Sequence, residues 1–280
     1  MNPLYIVPTP IGNLEDITIR SLNILKKSDL ILCEDTRRTS ILLKHYSIKK
    51  KLLSFNKDNE KERIDKIIEL LESNIISLVS DAGTPAISDP GSKLIRKLIK
   101  KNVQIIPLPG ASSITTAISA SGIDGNFIFS GFLPKKVNDL KKHLINLSQL
   151  DKDILFFESP KRVKKTLLLA REIFKYSNLI IFKELTKINE KIIFIEPDKS
   201  LPDINYNKGE YVIIIENNES KNEKSEDDDE NVVKKLKELL DLNFSGKDSI
   251  QLTSNYLGVN QKKIYNIYLD NFNKNKNKEF

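Results

Sequence analysis

Apolar and polar positions alternate in blocks along the first part of the chain. Short β-branched runs, LYIV (4–7), LILC (30–33), IISLVS (75–80) and VQIIPL (103–108), end in turn residues and predict buried strands. Helical spacing fills the gaps. DITIRSLNILKKS (16–28) sets Ile17, Leu22 and Leu25 on one face, and NEKERIDKIIELLES (59–73) is apolar at positions 64, 67, 68 and 71. DPGSKLIRKLIKKN (89–102) repeats the scheme. Strand alternating with helix predicts a parallel, helix-flanked sheet, whose ligands sit beyond the carboxyl ends of the strands. The loops PTPIGN, EDTR, SDAGTP and PGASS emerge at those ends.

A second alternation starts near residue 127. FIFSGFLP, DILFFESPKR, NLIIFKELTK and EYVIIIE predict four more strands, KIIFIE (191–196) a fifth, and KRVKKTLLLAREIF (161–174) a helix between them. The division that follows is an α/β domain over 1–116, a second over 117–216, an acidic linker over 217–231, a helical module over 232–272 and a frayed tail over 273–280. The module holds three short helical patterns broken at FSGKD and LGVN, like a helix-turn-helix in miniature. The linker cannot bury a core and reads as flexible.

Composition narrows the chemistry. With 280 residues, 39% of them hydrophobic, the chain can build two ordinary domains or one large one. No apolar run approaches the ~18–20 residues of a membrane helix. MNPLYIVPTP has no charged segment followed by a cleavage site, so no secretory signal is expected and the chain reads as cytoplasmic. One cysteine, Cys33, excludes an internal disulfide and a cysteine metal cluster; with only two histidines, no metal is expected. Cys33 suits a small apolar filler. The net charge is +7, but residues 217–231 carry seven acids against two lysines, which leaves the rest of the chain at +12. A basic body suits a polyanion, although abundant Lys, Ile and Asn can also reflect genome composition.

Neither G-x-G-x-x-G nor G-x-x-x-x-G-K-[ST] occurs, which disfavours a dinucleotide fold and a P-loop. In their place stand Pro/Gly loops with isolated acids, above all SDAGTPAISDPG, which holds two of the ten glycines of the chain. Acids such as Asp35 and Asp81 at strand ends can bind a metal, an amine or a ribose, or simply cap a helix. Asp89, ahead of Pro90-Gly91, reads as a helix-start device.

The ordered set LYIVPTPIGNLEDITIRSLNILKKSDLILCEDTRRTSILL, SDAGTPAISDPG, PLPGASSITTAISASG, GFLP, FFESPKR and KELTK resembles the ribosomal RNA small-subunit methyltransferase I family. The resemblance runs from residue 4 to about 216. It implies the tetrapyrrole methylase fold: two tandem α/β domains with a cofactor cleft between them, plus a small helical C-terminal module. It implies S-adenosylmethionine as cofactor, and 2′-O-methylation of a cytidine in 16S rRNA of the small ribosomal subunit by a homodimer. The implied cofactor residues are Pro10, Asp81, Ala82, Gly83, Thr84, Pro85, Ser112, Ser113, Ile114, Glu158 and Leu185. Deprotonating a ribose hydroxyl calls for a base. Glu34 and Asp35 are the first candidates, with Arg37 for a substrate phosphate and Lys183-Glu184 as the second pair. EDTRR equally suits a salt-bridged corner. Lys161 and Arg162 carry charges suited to an RNA backbone. Two competing readings are a tetrapyrrole C-methyltransferase of the same fold and a non-catalytic RNA-binding assembly factor.

Overall fold

The computed structural model describes residues 1–150, 152–217, 227–257 and 259–272. The chain divides into two compact units, Met1–Asn217 and Asn218–Phe280.

The first unit holds two five-stranded sheets. Strands β1 (Leu4–Ile6), β2 (Leu30–Cys33), β3 (Lys51–Ser54), β4 (Ile76–Leu78) and β5 (Ile105–Pro107) form the first, in the order β3-β2-β4-β1-β5. Every pair is parallel, and the register sets Leu4 against Ile76 and Ile105, and Leu30 against Ile76 and Lys51. All five carboxyl ends therefore open on one rim, as the alternation predicts. Helices α3 (Glu60–Leu70) and α4 (Ser92–Lys100) cover one face, packing Ile64, Ile67, Leu94 and Leu98 on Leu4, Leu32 and Leu78. Helices α1 (Ile19–Lys27) and α2 (Thr36–His45) cover the other, with Leu25 and Leu43 against Ile31, Cys33 and Val79. Burial pushes the Cys33 thiol up to about 11, which leaves it an apolar filler.

Two elements here escape the periodicity. β3 is a half-exposed edge strand of sequence KLLS, with only two apolar residues to signal it. α2 begins inside EDTRR, where Asp35 caps it by accepting a hydrogen bond from the Arg37 amide. Asp89 is not the expected helix-start device. The cap of α4 is Gly91, without a side-chain cap bond, and its N–H goes instead to Glu60 Oε1 at 3.1 Å.

The second sheet is mixed, in the order β6 (Phe127–Phe132), β7 (Asp153–Glu158), β10 (Tyr211–Glu216), β8 (Asn178–Lys183), β9 (Lys191–Ile195). Only β6 and β7 run parallel; β10 lies antiparallel to both β7 and β8. Helices α6 (Val137–Ser148) and α7 (Val163–Ile173) bury Leu140, Leu144, Leu167 and Ala170 against Ile154, Phe156, Ile181 and Ile213. The opposite face takes α5 (Ser113–Ser121), which follows the last strand of the first sheet and packs Ala117 near Leu155, Phe182 and Ile214. This crossing of α5 holds the two sheets face to rim.

The second unit is a three-helix module of α8 (Asp227–Asp241), α9 (Gly246–Leu257) and α10 (Gln261–Phe272), closed over Val232, Leu236, Val259, Ile264 and Ile267. Part of the expected acidic linker, 218–226, and the expected frayed tail, 273–280, lie outside the described residues. The rest of that acidic stretch is helical from Asp227. Acids in a first turn complement the helix dipole, so a run read as flexible starts a helix here. Ser249 and Thr253, one turn apart on α9, are fully buried with hydroxyls that find no partner among the described residues. Thr253→Val keeps the shape and removes an unsatisfied group. It is expected to stabilise the module by about 1 kcal/mol, read as slower hydrogen exchange along α9.

Candidate active site

The rim of the first sheet faces the uncovered part of the second, and the loops there are tied to one another. Thr9 and Gly83 exchange both backbone hydrogen bonds at 2.9 Å, joining PTPIGN to SDAGTP. Thr84 Oγ1 donates to the Ala111 carbonyl at 3.1 Å, joining SDAGTP to PGASS. The Asn13 amide donates to Thr186 Oγ1 at 3.0 Å, joining the first loop to KELTK of the second sheet. Gly83 has φ +75°, and a Cβ there would stand 3.1 Å from Ile11 Cγ2, so the loop needs glycine to turn and to let backbone line the space.

These loops enclose a cavity of about 360 Å³, within the size range of small-molecule sites. Ile11, Ile114, Phe157, Phe182 and Leu185 give it apolar walls, and Asp81, Asp89, Ser112 and Ser113 add polar groups. Ser112 is the N-cap of α5 but makes no side-chain cap bond, so its hydroxyl does not occupy the first-turn amides of that helix. Leu185 is presented by a strained turn. Glu184 and Thr186 on either side have φ of +55° and +63°, uncommon for residues with a Cβ and most of all for a β-branched one.

Beside the cavity lies an open polar basin of about 630 Å³, lined by Glu34, Asp35, Arg37, Asn56, Lys57 and Asp58. Asp81 borders both spaces. Its Oδ1 accepts from the Asp35 amide at 3.0 Å, and Oδ2 lies 3.4 Å from Arg38 Nη1.

The two adjacent acids of EDTRR differ sharply. Asp35 accepts from the Arg37 Nε at 3.1 Å and Nη2 at 2.8 Å, as well as from its amide. Those hydrogen bonds hold its carboxyl down at about 2. Such a group is a poor proton acceptor, so Asp35 and the inner edge of Arg37 form the salt-bridged corner. Glu34 is pushed above the usual carboxylate range, first by burial and then by the charges of Asp89 and Asp81. Burial likewise raises Asp89.

Of the expected cofactor residues, Asp81, Ala82, Gly83, Thr84, Ser112, Ser113, Ile114, Glu158 and Leu185 line the cavity, whereas Pro10 and Pro85 are buried and do not line it. Glu158 lies at the cavity but has its carboxylate turned to α7. It accepts from Arg162 Nε at 2.9 Å and Nη2 at 2.7 Å, from Thr166 Oγ1 at 2.8 Å and from the Ser159 amide at 2.7 Å. Arg162 is therefore engaged inside the fold, with Nη2 also donating to the Leu133 carbonyl at 2.9 Å, and is not the free RNA-facing cation expected beside the exposed Lys161. The pair Lys183-Glu184 also leaves the list of bases. Lys183 Nζ donates to the Asn205 carbonyl at 2.6 Å, and Glu184 accepts from Lys187 and the Glu210 amide, both at 2.9 Å. Burial alone would raise Glu184, but those hydrogen bonds and the lysine charges outweigh it and leave its carboxyl lowered.

Sequence reasoning missed Ile11, Asp89, Phe132, Phe157 and Phe182 at the cavity and Lys57 at the basin. Phe132 and Phe157 stand in GFLP and FFESPKR, motifs that were legible, and their rings meet edge to face at 5.5 Å. Lys57 follows the strand that the periodicity did not reveal.

Residues 3–197 match the family of tetrapyrrole (corrin/porphyrin) methylases. The "ribosomal RNA small subunit methyltransferase I" of Halalkalibacterium halodurans is 39% identical over 271 residues, 95% of this chain and 94% of that protein. The protein of the same name from Thermotoga maritima is 48% identical over 193 residues, 68% of this chain and 86% of its own length. A crystal structure of diphthine synthase superposes with a TM-score of 0.59 at 15% identity, covering 76% of this chain and 89% of that one, a likeness of fold. Fold, loops and relatives agree: the chain belongs to the ribosomal RNA small subunit methyltransferase I family, within the tetrapyrrole methylases.

Proposed function

We propose that this chain methylates the ribose 2′-hydroxyl of a cytidine in 16S rRNA of the small ribosomal subunit, using S-adenosylmethionine, as a cytoplasmic homodimer. Membership of a methyltransferase family supplies the reaction class. The observation that carries the finer reading is the pair of adjoining spaces that share Asp81, one walled by apolar groups and one polar and open.

The cavity suits the cofactor. Apolar walls, an anionic Asp81, a glycine-lined edge at Gly83 and the first turn of α5 match a ligand with an adenine, a cationic amino acid head and a carboxylate. The residues proposed to hold it are Asp81 to Thr84, Ser112 to Ile114 and Leu185. When bound, S-adenosylmethionine supplies a methyl group already activated on a sulfonium.

The protein's own tasks are then alignment and proton removal. Holding the acceptor oxygen in line replaces a bimolecular encounter with an oriented one. Glu34, at the basin wall, is the proposed base that takes the 2′-hydroxyl proton on its carboxylate. Exposed Arg37 and Lys57 are the proposed contacts to the flanking phosphates, acting as positioning charges without sequence readout.

The test is methyl transfer from labelled S-adenosylmethionine to small subunits lacking the modification, followed by nuclease mapping. Label in 16S rRNA at an alkali-resistant linkage supports the reading and identifies the nucleotide. Cofactor binding without label in RNA removes the RNA acceptor and leaves a small-molecule one.

A further inference from the structure

A second concave surface lies wholly inside the C-terminal unit and shares no lining residue with the methyl-transfer site. The first turns of α9 and α10 border a groove of about 470 Å³, lined by Lys247, Gln251, Gln261, Lys262, Tyr265 and Tyr268. We propose that this groove docks rRNA by its phosphodiester backbone, a proposal that rests on reading rRNA as the acceptor.

Its chemistry is that of a polyanion site. Lys247 and Lys262 are both exposed, and among the described residues neither forms a salt bridge. Among the described residues no acid lines the groove. The nearest carboxylate by sequence, Asp248, is bound to the hydroxyl of its own helix cap, Ser245, at 2.7 Å. Six acids stand in the sequence of α8, and the one that reaches the start of α10, Asp229, is taken up by Lys263 at 2.7 Å. Two twelve-residue helices begin at the groove, and their amino ends add partial positive charge to the two lysines.

Tyr265 is 50% exposed and offers a ring on which a base can stack, and Gln251 and Gln261 carry amides that donate and accept. A side chain at Gly246 would collide with the Tyr268 ring, so glycine there lets the tyrosine close one end of the groove. Cations, amides and one open ring grip a backbone and tolerate any sequence, as an accessory contact requires. Docking, not transfer, is the role proposed for this unit.

The test uses the full chain with Lys247→Ala/Lys262→Ala, a change on exposed side chains, and a 16S rRNA transcript as probe over a salt series. Two lost phosphate contacts should reduce the slope of log affinity against log salt by about 1.4–1.8 and weaken binding roughly tenfold at low salt. KM for small subunits should rise while kcat and cofactor affinity stay as in the parent. Tyr265→Ala should weaken transcript binding by about fivefold or more with the salt slope intact. Unchanged affinity and slope in the lysine variant overturn the proposal. Weaker binding to subunits with an unchanged transcript slope also overturns it, because the groove would then meet ribosomal protein. A parent protein that binds the transcript through these lysines but never labels RNA would instead sink the methyltransferase reading and leave the groove standing.

Discussion

Glu34→Gln is expected to lower kcat for methyl transfer by roughly 10²–10⁴-fold, with cofactor affinity measured by calorimetry unchanged. The substitution keeps the size and polarity of the side chain and removes only its ability to take a proton. Burial and the neighbouring charges of Asp89 and Asp81 raise the Glu34 carboxyl, opposed by Lys57 and Arg38. A base acts when deprotonated. The rate of the parent should therefore rise with pH through a limb displaced above the ordinary carboxylate range, and the Gln variant should lose that limb. Asp81→Ala is the contrasting variant. It removes the anion at the cavity wall, so cofactor affinity should fall. A Glu34→Gln enzyme with full turnover would return the whole of EDTRR to a structural role.

Arg162→Ala is expected to destabilise the fold by about 3 kcal/mol, read from denaturant unfolding. It leaves the Glu158 carboxylate, whose side chain is fully buried, without its only cationic partner among the described residues. The lower end of the range for a broken buried pair applies because the Arg162 side chain keeps 25% of its exposure. Lys161→Ala, one residue away and exposed, should stay within about 0.5 kcal/mol of the parent. Equal stability of the two variants, with only RNA affinity reduced by Arg162→Ala, would restore Arg162 to the RNA face.

These two cases mark where the sequence stopped. Glu34 and Asp35 are neighbours in one motif, and nothing local ranks them as bases. The ranking comes first from the burial of Glu34 and then from the charges of Asp89 and Asp81, about fifty residues away, while the hydrogen bonds that the folded loop lets Arg37 make hold Asp35 down. Glu158 and Arg162 stand four apart, a spacing compatible with a surface pair. Only the packing of α7 on the second sheet buries them and adds Thr166 and the Leu133 carbonyl. Asp89 looked like a helix start because it precedes Pro-Gly, but Glu60 from another helix had taken that place.

By itself the sequence determined the alternation of strands and helices in the first sheet, the rim on which its loops emerge, and the ordered motifs that mark the family. Those depend on period-two and 3.6-residue spacing and on turn residues, which are properties of near neighbours. The tertiary structure decided the edge strand β3, the insertion of β10 between β7 and β8, the aromatic cavity wall and the choice of the carboxylate fit to take a proton. Each of these is set by residues far apart in the chain, because burial and charge act through space and the strength of both depends on how much water the fold excludes.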